Sequence, residues 1–323
     1  MVRFRKGRAW LSIAMLFSSH MVSAQDTYPS APVTLVVPFA AGSGTDAVAR
    51  IVASKLGERL KQPVVVENKA GANAQIAATY VAKAKPDGYT LFMTTNTSHS
   101  ANPWLVKGLK YDPIKDFTPI ARVGELPFAL LVHPSLPVKT VQELIDYARA
   151  HPQKLSYGTP NSTSLVASET FKFLTKTQIT SVPYKSSPQA LTDLIGNQIQ
   201  IYVADLGSAG GTMKTDRVRT LAVTASKGSE LLPQVPAIAK SLPGFDITSW
   251  NGIFGPAGVP AAVVEKLNTE LQVVLKDPAV RSQLAQVGFE VWPTATPAEF
   301  EGYVKEQLAR WESLVKQAGI QAQ

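Results

Sequence analysis

Short apolar runs alternate with longer segments of helical periodicity along the chain from residue 33 onward. Each run is followed by a turn and then by apolar residues three or four positions apart, which is typical of an α/β fold. The predicted strands are 33–37, 64–67, 89–94, 128–132, 155–157, 181–184, 200–204, 220–224 and 247–254. The predicted helices are 45–56, 72–85, 141–150, 165–174, 189–195, 261–276, 278–287 and 298–317.

The first strand, turn and helix, residues 33–56, give the strongest local signal. The strand ends at a proline, and Gly42 and Gly44 allow the backbone to turn tightly and to approach a ligand. The helix that follows, with Thr45 or Asp46 as its cap, has free N–H groups in its first turn. The positive end of its dipole also points at the turn, so this position favours a carboxylate or a phosphate.

Other predicted strands also end in small polar loops. Residues 95–98 follow the third strand, residues 158–164 follow a strand in the second half of the chain, and Asp205 ends the strand 200–204. The carboxyl ends of parallel strands share one edge of a sheet, where ligands bind. Two α/β units that face each other through such loops would enclose a cleft.

A dinucleotide-binding protein is one alternative. Gly42, Gly44 and Ala47 fit the spacing of that fingerprint, and Glu67 lies at the end of the next apolar run, as the ribose-binding acid would. However, Pro38 and its neighbour separate the strand from the glycines, whereas a dinucleotide fold runs straight into its turn.

A secreted enzyme that uses Asp46 or Asp205 as an acid or base is another alternative, although nothing in the sequence shows that the two meet. The motifs of serine hydrolases, P-loop proteins and zinc proteases are absent from the sequence. His99 lies in the third loop, where it would touch a ligand or the solvent, and His133 is interpreted as structural. No metal site and no cofactor is predicted.

The first 24 residues have the layout of a secretory signal peptide. Four basic residues lie within residues 3–8, an apolar run covers residues 9–17, and a small-residue site ends at Ala24. We therefore expect export and cleavage after Ala24.

Composition adds few constraints. With 323 residues, of which 45% are hydrophobic, the chain can form two domains. Loss of the leader removes four basic residues and lowers the net charge from +8 to +4, which is too mild to indicate nucleic-acid binding. The chain has no cysteine, so disulfides and thiolate metal sites are excluded. No apolar stretch after the leader is long enough to span a membrane, so we expect a soluble mature protein.

Several separated blocks resemble one known family in the same order along the chain. They are PFAAGSGTDAVAR, VVVENKAGANAQIAATYVAKAKPDGYTLFM, VPYKSSPQALTDLIGNQIQIYVAD, SWNGIFGPAGVPAAVVEKLN and ARWESLVKQAGI. These blocks look like the substrate-binding proteins of tripartite tricarboxylate transporters, the Bug or TctC-like receptors. The resemblance extends from about residue 28 to residue 320.

The resemblance implies an α/β fold of the type II periplasmic binding protein kind, in which two crossover strands join two α/β lobes around a ligand cleft. We expect a discontinuous first lobe, 25–128 plus 246–323, and a second lobe, 129–245. The implied function is a monomeric periplasmic receptor that delivers a small mono-, di- or tricarboxylate, an amino acid or an aromatic acid to a large and a small integral membrane transporter subunit. An alternative within the same fold is a receptor that senses the ligand for a membrane sensor kinase instead of delivering it to a transporter.

The resemblance also implies which residues bind the ligand, mainly through backbone N–H groups, hydroxyls and bridging waters. Three positions depart from the family pattern: Ser43 separates two glycines that are usually adjacent, Asn73 stands in a loop that is usually richer in glycine, and Leu165 stands where histidine is common. The candidate ligand-binding residues are Phe39, Ala40, Gly42, Ser43, Gly44, Asp46, Ala72, Asn73, Ala74, Thr95, Asn96, Thr159, Ser162, Thr163, Ser164 and Asp205.

Overall fold

A computed structural model describes residues 1–2 and 28–322, so most of the predicted signal peptide lies outside the described residues. The strands are β1 (Val33–Val37), β2 (Val64–Asn68), β3 (Thr90–Thr95), β4 (Phe117–Leu126), β5 (Phe128–Val132), β6 (Ser156–Thr159), β7 (Thr180–Pro183), β8 (Ile201–Asp205), β9 (Arg219–Val223), β10 (Ser249–Pro256) and β11 (Glu290–Val291). The helices are α1 (Gly44–Leu60), α2 (Gln75–Ala82), α3 (Asn102–Leu105), α4 (Val141–Ala150), α5 (Ser162–Thr175), α6 (Ser187–Ile195), α7 (Leu206–Met213), α8 (Ala261–Lys276), α9 (Pro278–Gln286) and α10 (Pro297–Gln317).

The strands form two sheets, which are the centres of two lobes. The sheet of lobe 1 has the order β11-β4-β10-β3-β1-β2, and the sheet of lobe 2 has the order β7-β6-β8-β5-β9. In each sheet the strands that precede polar loops are parallel, namely β1, β2 and β3 in lobe 1 and β6, β7 and β8 in lobe 2. Their carboxyl ends therefore lie at one edge of each sheet, where the predicted loops also lie.

The chain passes between the lobes twice. It enters the second sheet through β5, which follows β4 after a single residue, and it returns to the first sheet through β10. Both strands pair antiparallel with their neighbours. The predicted α/β fold with two lobes and two crossover strands is confirmed. The residue limits predicted for the lobes, 25–128 with 246–323 and 129–245, stay a prediction.

The structure contains four elements that the sequence pattern does not indicate, namely the short α3 and β11 and the longer β4 and α7. Strand β4 contains Pro119 and Gly124, and it lacks the alternation of a typical strand, so its pairing with β10 depends on tertiary context. Helix α7 contains three glycines, which have low helix propensity. It forms where Asp205 caps its first turn and where it packs against α6 and α1.

Several predicted helix starts are wrong by a few residues. Helix α5 begins at Ser162 rather than at residue 165, because Asn161 accepts a hydrogen bond from the N–H of Ser164 and caps the helix. Helix α2 begins at Gln75 rather than at residue 72, because the preceding residues have left-handed backbone. The cap of α1 is Ser43, not Thr45 or Asp46.

The third loop is also more regular than predicted. Thr95 is the last residue of β3, and Thr97–Ala101 forms a π-helical turn whose residues are all buried. Across residues 28–322, no helix is long and apolar enough to cross a membrane.

Candidate functional site

A cavity of about 840 Å³ lies between the lobes and takes residues from both of them. Two other cavities of similar volume lie beside α2 and beside α7, but neither contains a predicted ligand-binding residue. We therefore take the cavity between the lobes as the candidate site. Its lining includes Pro38, Phe39, Gly71, Ala72, Asn73, Ala74, Gln75, Leu105, Val106 and Ile320 from lobe 1, and Thr159, Pro160, Asn161, Ser162, Leu165, Glu169, Ser181, Pro183, Tyr184 and Lys185 from lobe 2.

A narrow recess of about 20 Å³ lies at the start of α1, which is room for about one water molecule. Phe39 lines both the recess and the cavity. Other candidate residues from both lobes also line the recess, namely Ser43, Gly44, Thr95, Thr163 and Asp205.

The predicted residues thus divide into three groups. The cavity is lined by Phe39, Ala72, Asn73, Ala74, Thr159 and Ser162. The recess is lined by Phe39, Ser43, Gly44, Thr95, Thr163 and Asp205. The third group lines neither the cavity nor the recess, and it comprises Ala40, Gly42, Asp46, Asn96 and Ser164.

Asp46 stabilises the first loop but lines neither the cavity nor the recess. Its buried carboxylate accepts hydrogen bonds from the N–H of Gly42 (3.0 Å), the side-chain amide of Asn68 (2.9 Å) and the guanidinium of Arg50 (3.1 Å). Burial alone would raise the pKa of Asp46, but the hydrogen bonds from Arg50, Asn68 and Gly42 outweigh it and leave this pKa below its usual value. The carboxylate therefore positions the loop and the start of α1.

Asp205 caps α7 from the other lobe. Its carboxylate accepts hydrogen bonds from the N–H (2.7 Å) and the hydroxyl (2.8 Å) of Ser208. Burial raises the pKa of Asp205, and the bonds from Ser208 only partly oppose this effect. A Cβ atom on Gly44 would lie 2.4 Å from Asp205 Oδ1, so this carboxylate also faces the start of α1. A protein carboxylate therefore already stands beside the positive end of that helix.

The loop Gly71–Ala74 has an unusual backbone. Gly71, Ala72, Asn73 and Ala74 all have positive φ, at 127°, 45°, 49° and 71°. Three of these residues are not glycine, and such conformations cost of order 1–3 kcal/mol each, so the surrounding contacts must hold them in place. Consecutive N–H groups in turns of this kind form concave sites for anions. The loop lines the cavity, so a ligand bound there would lie next to this stretch of backbone.

Asn73 ties this loop to the opposite lobe. Its amide donates hydrogen bonds to the hydroxyl of Ser162 in lobe 2 (2.8 Å) and to the side-chain oxygen of Asn102 in lobe 1 (2.8 Å). Asn102 in turn donates to the carbonyl of Asn73 (2.7 Å). The side chain of Asn73 therefore connects the two lobes beside the cavity.

Asn96 makes a second bond between the lobes. Its amide donates to the hydroxyl of Thr163 (2.9 Å), and its side-chain oxygen accepts from the hydroxyl of Ser249 (2.6 Å). These contacts lie deeper in the cleft, and the residues are buried. With bonds from both Asn73 and Asn96 in place, the lobes are closed on each other.

The structure corrects the prediction for His99 and adds one residue, Lys185, to the candidate site. His99 is fully buried against Phe254 and Phe117, with ring centroids 4.1 and 4.6 Å away, so it touches neither the cavity nor the solvent. Burial lowers the pKa of His99 to about 3. The sequence interpretation missed Lys185, although it follows β7 at the same sheet edge as the predicted loops.

Replacement of Asn73 by glycine is expected to weaken ligand binding about 5- to 10-fold, because it removes one hydrogen bond between the lobes worth about 1 kcal/mol. Isothermal titration with a ligand of the wild-type protein measures the change. Asn197→Gly is the matched control, since Asn197 is an exposed residue with φ of 55° that lies away from the cavity. Equal affinity for the Asn73→Gly variant and for the control would show that Asn73 does not stabilise the closed lobes.

Two α/β lobes that close over a lined cavity, joined by two crossover strands, define the class of two-lobe solute-binding proteins. Residues 48–320 match the model of the tripartite tricarboxylate transporter family receptor. The chain belongs to this family, and it is a solute-binding receptor of the Bug or TctC kind.

Individual relatives are similar over almost the whole chain. A UPF0065 protein of Bordetella bronchiseptica is 35% identical, with 97% of this chain and 93% of the relative covered. The structure of Rpa4515 of R. palustris with adipate has a TM-score of 0.89 at 37% identity, with 92% of this chain and 100% of that chain covered. The periplasmic binding protein BugD has a TM-score of 0.86 at 34% identity, with 92% and 100% covered. These likenesses confirm the family that the sequence blocks indicate.

Proposed function

We propose that the protein captures a small organic carboxylate in the cavity between its lobes and delivers it to a tripartite tricarboxylate-type secondary transporter. The observation that supports this proposal most strongly is the convergence of two loops on one cavity, Gly71–Ala74 from lobe 1 and residues 159–162 from lobe 2. A structural relative was solved with adipate, which is consistent with a carboxylate ligand.

The charges around the cavity also favour an anion. Glu169 lines it, but its carboxylate pairs with Lys172 at 3.0 Å and accepts a hydrogen bond from Tyr157. Lys185 is exposed at the cavity and forms no ion pair within residues 28–322. Among the described residues that line the cavity, the charge left uncompensated is therefore positive.

The start of α5 and the loop Gly71–Ala74 are the proposed places for the ligand carboxylate. Both offer backbone N–H groups at the cavity wall, and the dipole of a 14-residue helix favours an anion at its start. The start of α1 is less suitable for direct contact, because Asp205 already faces it. A water in the recess would connect the ligand to Ser43, Thr95 and Thr163.

The cellular setting is proposed from the sequence and the relatives. The leader is cleaved after Ala24, and the mature receptor works in the periplasm as a monomer. Its partners are a large and a small integral membrane subunit of the transporter. Binding and release without chemical change are sufficient for this task, because a ligand that prefers the closed lobes shifts the equilibrium between open and closed forms.

A thermal shift screen of the mature protein against mono-, di- and tricarboxylates, aromatic acids and amino acids tests the proposal. A ligand at 100 times its dissociation constant stabilises the native state by about 2.7 kcal/mol. This corresponds to an increase of roughly 4 °C in the melting temperature of a protein of this size. An unchanged melting temperature across the whole panel would contradict the proposal.

Lys185→Gln is expected to weaken binding of a dicarboxylate up to about 5-fold and to leave a monocarboxylate of equal chain length unaffected. The second carboxylate of an extended ligand would reach the ammonium of Lys185, which has no ion-pair partner among the described residues. Because this site is exposed, such an ion pair is worth up to about 1 kcal/mol. Titration with adipate and with hexanoate measures the difference. Lys154→Gln, an exposed lysine of the same lobe away from the cavity, is the control. Equal losses for the two acids would show that Lys185 does not contact the ligand.

A further inference from the structure

An open groove of about 870 Å³ runs beside α2, outside the cavity between the lobes. Large apolar side chains are exposed around it. Ile76 and Tyr80 line the groove and are 52% and 47% exposed. Val65 of β2 is 54% exposed. Lys69, the residue after β2, pairs with Glu67, and its ammonium lies 4.2 Å from the ring centroid of Tyr80. We call Val65, Ile76, Tyr80 and the groove the α2 surface.

The α2 surface is positively charged. Lys83, Lys85 and Lys110 line the groove, and Asp87 is the single acidic residue of its described lining. None of these three lysines forms an ion pair within the part of the chain that the structure describes. Exposed apolar residues flanked by cations are typical of a surface that binds an acidic protein partner.

The α2 surface is also connected to the ligand cavity. Gln75, the first residue of α2, lines both the groove and the cavity. It directly follows the Gly71–Ala74 loop, in which Asn73 donates a hydrogen bond to Ser162 of the opposite lobe. A partner on the α2 surface would therefore be sensitive to whether the lobes are closed.

We propose that the α2 surface docks a protein partner whose contact region has a protruding apolar side chain surrounded by carboxylates. This inference rests on the proposed function, and the partner is the extramembrane face of a membrane subunit. A lipid bilayer fits the surface less well, because α2 has only eight residues and buries Ala77, Ala78 and Val81 in the core. It cannot turn a broad apolar face toward lipid as an interfacial helix does, whereas a concave groove accepts a single side chain.

Photocrosslinking in intact cells tests the proposal directly. A benzophenone amino acid is placed at position 80 of the full chain and, as a matched control, at position 273, because Val273 is 43% exposed on α8 of the same lobe. We expect position 80 to crosslink to an integral membrane protein, with a contact peptide rich in Asp and Glu, and position 273 to give no such adduct. We expect Lys83→Glu combined with Lys85→Glu to reduce that adduct at least 10-fold.

The outcomes separate this inference from the proposed function. The double lysine variant is expected to bind its acid with wild-type affinity, since neither lysine lines the cavity. No adduct at position 80, an adduct with lipid, an adduct that persists in the double variant, or equal adducts at both positions would each overturn the inference. Failure of every acid to bind the purified protein would instead contradict the proposed function.

Discussion

Gly44→Ala is expected to weaken ligand binding roughly 10- to 100-fold while the ligand-free protein keeps its melting temperature. A Cβ atom at this position would lie 2.4 Å from Oδ1 of Asp205, 2.8 Å from Cδ2 of Leu126 and 3.2 Å from Cα of Gly207. Asp205 and Gly207 belong to the other lobe, so opening the lobes relieves the overlap with both of them. The overlap with Leu126 of lobe 1 remains, but it involves only the tip of a flexible side chain. Overpacking of this kind costs about 1–3 kcal/mol, and here it destabilises mainly the closed form.

The measurement for Gly44→Ala combines titration of a ligand with a melting curve without ligand. Gly302→Ala is the matched control, because nothing lies within 4 Å of a Cβ at this glycine of α10. Wild-type affinity for Gly44→Ala would show that the lobes do not need this close approach. A large fall in the melting temperature without ligand would show that the contact belongs to the folded core and not to closure.

Asp46→Ala is expected to destabilise the protein by about 2–4 kcal/mol, or roughly 3 to 6 °C in melting temperature. It leaves the N–H of Gly42 and the amide of Asn68 without their acceptor. The ion pair with Arg50 adds little, because the Arg50 side chain is 54% exposed and solvent screens it. Asp216→Ala, at an exposed carboxylate of lobe 2, is the control.

The effect of Asp46 also depends on pH in a defined direction. The folded protein holds the pKa of Asp46 below its usual value near 3.8, so the stabilisation is present above that pH and is lost as the pH falls through the folded-state pKa. The difference in melting temperature between wild type and Asp46→Ala should therefore be full at pH 6 and shrink toward pH 3. A difference that is equal at both pH values would show that the carboxylate charge is not the cause.

The loops of the site could be located from the sequence because their signals are local. An apolar strand that stops at Pro38, followed by closely spaced glycines and a helix, places the first loop at a sheet edge without reference to the rest of the chain. The same argument locates residues 158–164 after β6. Helix starts are less certain, since the cap of α5 depends on Asn161 rather than on the first apolar residue.

The roles of individual residues within the loops depend on contacts between distant segments, which no local pattern contains. From the sequence, Gly44 is explained by close approach to a ligand, but in the structure its close neighbours are protein groups, among them Asp205 and Gly207 of the other lobe. Asp46 is explained as a cap or a ligand contact, but its partner Asn68 comes from the end of β2. The sequence shows that Asn73 adds a side-chain amide to its loop. Its hydrogen bond to Ser162 joins the two lobes, so it can be seen only in the folded structure.

Native mass spectrometry of the exported protein, purified without unfolding and then mixed with the panel of acids, tests the central claim most directly. If loops of two facing lobes together hold an organic acid, the spectrum should contain a one-to-one adduct with the mass of a carboxylic acid, and Gly44→Ala should lose most of it. A spectrum that shows only the ligand-free mass, before and after addition of every acid, would contradict the claim.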